Sequence, residues 1–118
     1  MPPVTRVLPW LFIAFAALGL VLGIREWANP PFTDEQLRSS LADTWEVARS
    51  TVPVFAFSFL GLGAISLVLA NRAPDARMRT VAWVAAAMCL LALAVIFRNH
   101  IVMTERAEAL TGQDLALF

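Results

Sequence analysis

The stretch 81-VAWVAAAMCLLALAVIF-97 decides the fold, because it contains no Asp, Glu, Lys, Arg or His. An α-helix rises about 1.5 Å per residue, so a helix of this length comes close to the roughly 30 Å thickness of the hydrocarbon core of a bilayer. Two further stretches share this property, 7-VLPWLFIAFAALGLVLGI-24 and 52-VPVFAFSFLGLGAISLVLA-70. We therefore predict three transmembrane helices, at 7–24, 52–70 and 81–97.

The composition of the whole chain agrees with this prediction. Its 118 residues are 59% hydrophobic and 15% charged, with a mean hydropathy of +0.71, whereas soluble domains are typically about half apolar and about a quarter charged. Three uncharged stretches in so short a chain leave too little polar surface for a soluble fold. The sequence predicts an all-α, single-domain integral membrane protein, a three-helix bundle covering residues 1–118.

The first apolar stretch has some features of a secretory signal peptide. Arg6 precedes it, and Ala14, Phe15 and Ala16 form the small-residue pattern of a cleavage site. That pattern lies in the middle of the stretch, however, and the stretch is longer than a typical signal-peptide core. We interpret it as an uncleaved first span.

The arginines indicate the orientation of the chain. With three spans, the N-terminus and the 71–79 loop lie on one side, and the 25–51 loop and the C-terminal tail lie on the other. Arginine is denser near the helix ends of the first side, which predicts a cytoplasmic N-terminus and a periplasmic C-terminus in a bacterial inner membrane. The arginines of the first side are Arg6, Arg72, Arg77 and Arg79.

An amphipathic helix is predicted at about 34–49, between the first two spans. Thr33 and Gln36 have the spacing of a capping box, in which each residue bonds the backbone N–H of the other. An apolar stripe follows at helical spacing, formed by Leu37, Leu41, Trp45 and Ala48. This helix could lie in the membrane interface or cover the outer ends of the spans as a lid.

The third span is expected to continue beyond the membrane as a helical tail at about 98–111. No Gly or Pro interrupts the chain from Thr80 to Gly112. Gly112 is typical of the residue that follows a helix end.

Small residues within the spans indicate close helix packing. In lipid, helices associate where small side chains let their backbones approach. These contacts could form within one chain or between copies. The candidates are Gly19, Gly23, Ser58, Gly61, Gly63 and Ser66.

Several functional classes find no support in the sequence. The spans lack the charged residues that ion-coupled transporters, proton relays and voltage sensors require. Nine basic residues balance nine acidic ones without forming a basic block, so we expect no binding to nucleic acid. The single cysteine, Cys89, excludes an internal disulfide. None of the common nucleophile, zinc or phosphate-binding motifs is present.

One group of polar residues could carry chemistry. The ends of the first and third spans meet on the predicted outer side, which brings together Arg25, Glu26, Arg98, Asn99 and His100. His100 could act as a general acid or base, and the arginines could hold an anionic head group. Alternatively, these residues anchor the helix ends in the headgroup layer, together with two interfacial tryptophans, Trp27 and Trp45.

Metal binding has little support. His100 and Met103 lie one helical turn apart, a spacing that permits two ligands to one copper ion, but two ligands do not complete a site. We therefore predict no metal site, and the sequence points to no particular cofactor.

Two hypotheses on function follow. The first is a non-catalytic subunit or scaffold, which docks within the bilayer onto itself or onto a larger membrane complex. The alternative is a small membrane enzyme or a lipid- or quinone-binding protein, with a site around His100 and Arg98. The alternative requires that the polar side chains converge on a cavity open to the bilayer. A third possibility is an oligomeric pore lined by Ser58 and Ser66.

Overall fold

The computed structural model of the protein describes residues 3–30, 32–39 and 41–112, and all secondary structure in these ranges is helical. Three of the helices are long, α1 (Pro3–Ala28), α3 (Leu41–Arg72) and α4 (Ala76–Thr111), and one is short, α2 (Asp34–Ser39). The three long helices are long and apolar enough to cross a membrane. This agrees with the number and the positions of the predicted spans.

Local signals in the sequence fix the helix ends. In α2 the capping box is confirmed, because the Thr33 N–H donates to Gln36 Oε1 at 2.9 Å and the Gln36 N–H donates to Thr33 Oγ1 at 3.2 Å. In α4, the Asp75 side chain accepts from the Arg77 N–H, and Gly112 follows the last turn with a φ of 70°. Glycine adopts this left-handed conformation without a steric penalty.

The helix predicted at 34–49 does not end before the second span, and in this respect the prediction was wrong. Its described parts are α2, up to Ser39, and the first turns of α3, which continues without interruption through the second span to Arg72. Ser50 and Thr51 lie between the predicted helix and the predicted second span, but they do not interrupt α3. Both hydroxyls donate to the Val47 carbonyl within this helix. Serine and threonine can bond to the preceding helical turn in this way. The side chain of Leu41 lies outside the described part of the chain.

Helix α4 is the central element. It packs against both α3 and α1, whereas α1 and α3 contact each other at few positions. With 36 residues, α4 is about 54 Å long, well beyond the roughly 30 Å of a hydrocarbon core. Its C-terminal turns also contact α2.

The core lies where α4 is covered by both partners. Ala16 of α1, Phe59 of α3, and Cys89 and Ala92 of α4 are buried there. Small side chains bring α4 close to its partners, since Ala82, Ala85 and Ala86 are also buried. Most large apolar side chains point outward, and Phe57 is 73% exposed.

Candidate functional site

A cleft of about 520 Å³ lies between α1 and α3, with α4 as its floor. It exists because α1 and α3 both pack on α4 but contact each other little. The walls are mostly apolar, with side chains such as Leu18 and Leu22 of α1 and Val52 and Phe55 of α3. Among the described residues, the two walls contact each other little and are joined mainly through α4.

An aromatic pair closes the inner end of the cleft. The rings of Phe15 and Phe59 lie 5.2 Å apart between centroids, and they join α1 to α3. Gly19 allows this contact, because a Cβ atom at that position would lie 2.6 Å from Phe59 Cζ. Loss of the glycine would force the phenylalanine ring out of place.

The polar lining residues lie toward the opposite end of the cleft, and Asn99 is at their centre. Its Oδ1 accepts from Trp27 Nε1 at 2.7 Å and from Arg98 Nη1 at 3.3 Å. Its Nδ2 donates to the Gly23 carbonyl at 2.9 Å and to Glu26 Oε2 at 3.2 Å. One side chain of α4 therefore binds three residues of α1.

These four bonds define the role of Asn99. An asparagine amide offers two acceptor positions and two N–H donors, and all four are used. Asn99, predicted as a candidate catalytic residue, thus joins α1 to α4 through hydrogen bonds to Gly23, Glu26 and Trp27. It holds Glu26, Trp27 and Arg98 in place around it.

Trp27 and Arg98 form a second contact at this end. The Arg98 guanidinium carbon lies 4.6 Å from the Trp27 ring centroid, in a cation–π arrangement. Trp27 is half exposed, as an interface anchor would be, but its N–H bonds to Asn99. Trp27, predicted as an interface anchor, therefore also belongs to the polar cluster.

His100 lines the cleft but is only 4% exposed. Its ring stacks on Trp45 of α3, with centroids 5.3 Å apart and planes 14° apart. The predicted interface anchor Trp45 thus covers a face of the imidazole. This burial fits a packing role for His100 better than that of an accessible general acid or base.

Arg25 does not join the others. It is exposed and is not among the residues that line the cleft. Of the five predicted candidates, the structure therefore brings four to the cleft: Glu26, Arg98, Asn99 and His100.

Arg106 forms part of the outer rim, and the sequence analysis missed it as a site residue. Its Nε donates to Asp34 Oδ1 at 2.7 Å, and its Nη2 donates to the Phe32 carbonyl at 2.9 Å. These bonds tie the start of α2 to α4. Helical spacing could have indicated Arg106, because residues 99, 103 and 106 fall on one face of a helix.

The predicted packing residues have different environments. A Cβ at Gly23 would lie 2.5 Å from Val95 Cγ1, and one at Gly63 would lie 3.6 Å from the Cys89 Cβ, so both glycines face α4. Nothing lies within 4 Å of the corresponding position at Gly61. The Ser58 and Ser66 hydroxyls bond carbonyls of their own helix, those of Val54 and Leu62.

In the described ranges, no group of three or more His, Cys, Asp and Glu residues could hold a metal ion. Comparison of the chain with protein-family models, with curated proteins and with solved structures finds no match. The function is therefore argued from the cleft itself.

Proposed function

We propose that this is an integral membrane protein that binds a lipid-like amphiphile in the cleft between α1 and α3. The apolar tail of the ligand would lie between the two helices, and its head group would contact the polar end around Asn99. The observation that carries the proposal is the convergence of Glu26, Trp27, Arg98 and Asn99 at one end of a mostly apolar cleft.

Exposed apolar surface supports the membrane assignment. Only 11% to 33% of the most apolar window of each long helix is buried within the chain. Exposing this much apolar surface to water would cost roughly 25 cal/mol per Å², and lipid removes that cost. The dense arginines at the N-terminal side support the orientation predicted from the sequence, with the polar end of the cleft on the outer side.

The shape of the cleft supports a ligand that enters from the bilayer. A molecule already dissolved in lipid could slide between α1 and α3 without leaving the hydrocarbon phase. Its head group would stay at the depth where Trp and Arg side chains are most favourable. A water-soluble ligand would gain little from the apolar walls.

The polar cluster supports binding and no chemical step. The four hydrogen-bonding positions of Asn99 are occupied within the protein, and His100 is buried beneath Trp45. Two charged groups at this end, Glu26 and Arg98, remain exposed. They could bind opposite charges on the head group of a ligand. Of the two hypotheses drawn from the sequence, the cleft favours the lipid-binding one.

The proposal can be tested by filling the cleft. Val52→Trp places a large ring in the wall of the cleft, whereas Val54→Trp places the same ring on a surface that is 63% exposed. We expect the first variant to lose at least about tenfold in lipid affinity, equivalent to about 1.4 kcal/mol, and the second to match the wild type. Native mass spectrometry of gently solubilised protein measures the bound lipid. Equal lipid content in the two variants would count against the proposal.

One observation favours the alternative, a non-catalytic subunit or scaffold. Gly61 lies on an exposed face of α3 with open space around it, so another helix could approach the backbone closely there. Gly61→Leu would then shift the protein from oligomer to monomer in cross-linking, or release a partner during purification. Gly63→Ala, which faces Cys89, is the matched control. An unchanged oligomeric state in Gly61→Leu would remove this support.

A further inference from the structure

We infer that the head group recognised at the polar end is zwitterionic, with a phosphate that contacts Arg98 and a primary ammonium that contacts Glu26. This inference rests on the proposed function and names the class of lipid: an aminophospholipid of the phosphatidylethanolamine type.

The cleft is lined by few charged side chains. Among the described residues, three charged ones line it: Glu26, Arg98 and Arg106. Arg106 is neutralised by its ion pair with Asp34. In the part of the chain that the structure describes, Arg98 and Glu26 form no ion pair. The fold therefore leaves one positive and one negative charge for a ligand.

The two charges are also close to each other. Arg98 Nη1 and Glu26 Oε2 lie 3.3 Å and 3.2 Å from the two ends of a single amide, that of Asn99. A head group with its own charges a few bonds apart could therefore meet both. Because Asn99 also binds Trp27 and Gly23, the spacing of these charges is fixed before a ligand arrives.

Each group keeps hydrogen-bonding capacity for a ligand. A guanidinium has five N–H donors, and among the described residues Arg98 uses one of them, in its bond to Asn99. Paired N–H donors fit a phosphate well. Glu26 likewise keeps its second carboxylate oxygen, which can accept from an ammonium N–H.

The same groups disfavour other head groups. A lipid with an anionic head alone would place its charge near Glu26 without compensation, and such like-charge contacts reduce affinity. A trimethylammonium group has no N–H to donate to the carboxylate. Aromatic cages hold such groups through ring faces, but Arg98 already lies over a face of Trp27. The primary ammonium is therefore the better match.

The test compares three lipids that share the same acyl chains: phosphatidylethanolamine, phosphatidylcholine and phosphatidylglycerol. Each is titrated into delipidated full-length protein in detergent, and native mass spectrometry counts the bound lipid. We expect the Kd for phosphatidylethanolamine to be at least about tenfold lower than for the other two. Equal affinities, or a preference for phosphatidylglycerol, would overturn the inference.

Two variants test which side chain contacts the ammonium and which contacts the phosphate. Glu26→Gln keeps an oxygen for the bond to Asn99, and we expect it to lose the preference for phosphatidylethanolamine over phosphatidylcholine. Arg98→Gln should weaken the binding of all three lipids. The controls are Glu46→Gln and Arg25→Gln, two exposed residues outside the cleft lining, which should leave the preference intact. A preference for phosphatidylethanolamine that survives Glu26→Gln would also overturn the inference. If a variant does not fold, the comparison of the three lipids on the wild type still tests the inference.

Failure of the head-group inference can be distinguished from failure of the proposed function. If the three lipids bind equally and Val52→Trp still loses them, the head-group inference fails and the cleft proposal stands. If the wild type binds none of them, or if Val52→Trp binds as much as Val54→Trp, the proposed function fails as well.

Discussion

The two halves of α4 differ in what they present to α1 and α3. The N-terminal half buries small side chains such as Ala82, Ala85 and Cys89, and the neighbouring helix backbones approach closely. The C-terminal half carries Asn99, His100 and Arg106, and here a cleft separates the flanking helices. The two halves thus differ in the side chains that α4 places between its partners, and the cleft lies at the half that carries the polar ones.

The largest expected loss of stability comes from Phe59, which lies at the boundary between the two halves of α4. Phe59 is 2% exposed, packs against the tilted ring of Phe15 and lies against Gly19. Phe59→Ala should lower the free energy of unfolding by about 3 kcal/mol, since it leaves a cavity in the core. Thermal unfolding in detergent measures the change. Phe57→Ala, at a residue 73% exposed, is the control, and equal effects in both variants would contradict the boundary role of Phe59.

A smaller loss is expected from the open half. Asn99→Ala removes three hydrogen bonds between α4 and α1, and a fourth to Arg98 within α4. Such bonds are worth roughly 0.6 kcal/mol each on average between membrane helices, so we expect a loss of about 2 kcal/mol in the free energy of unfolding.

The same variant should release α1 from the C-terminal half of α4. Hydrogen exchange would then increase near Gly23 and leave the buried half around Ala85 unchanged. Asn71→Ala, at an exposed residue in the last turn of α3, is the control. Unchanged exchange near Gly23 would mean that Asn99 does not fasten α1.

The smallest expected loss of stability concerns the ion pair between Asp34 and Arg106 at the rim of the cleft. Asp34→Asn breaks the ion pair with Arg106. The Asp34 side chain is 60% exposed and the Arg106 side chain is 29% exposed. Exposed pairs contribute about 0.2–1 kcal/mol and are screened by salt, so the loss should be about 0.5 kcal/mol and should shrink in high salt. Faster hydrogen exchange confined to α2 would report it. Glu35→Gln removes the same charge one residue away, and an equal effect there would show that the pairing with Arg106 is not the cause.

The sequence predicted the features that depend on local pattern. Charge-free stretches located the three long helices, and the Thr33–Gln36 spacing located the start of α2. Topology alone predicted that Glu26 and Asn99 would meet, because the ends of the first and third spans lie on the same side.

Other features depend on packing between distant residues, and the sequence could not reveal them. The cleft arises because α1 and α3 contact each other little, and no local pattern encodes that gap. The burial of His100 depends on Trp45, which lies 55 positions away in the sequence. The continuation of the 34–49 helix into the second span was not predicted either, although residues 49–52 lie within the uninterrupted helix α3.

The fully bonded amide of Asn99 has a consequence for the thermodynamics of the proposed lipid binding. Its four partners hold the head-group end in one arrangement in the free protein, so little of that end has to be ordered when a ligand arrives. Preorganisation of this kind improves affinity by reducing the entropy lost on association. Only the unbonded parts of the Arg98 and Glu26 side chains would then lose freedom, and most of the entropic cost would fall on the flexible tail of the lipid.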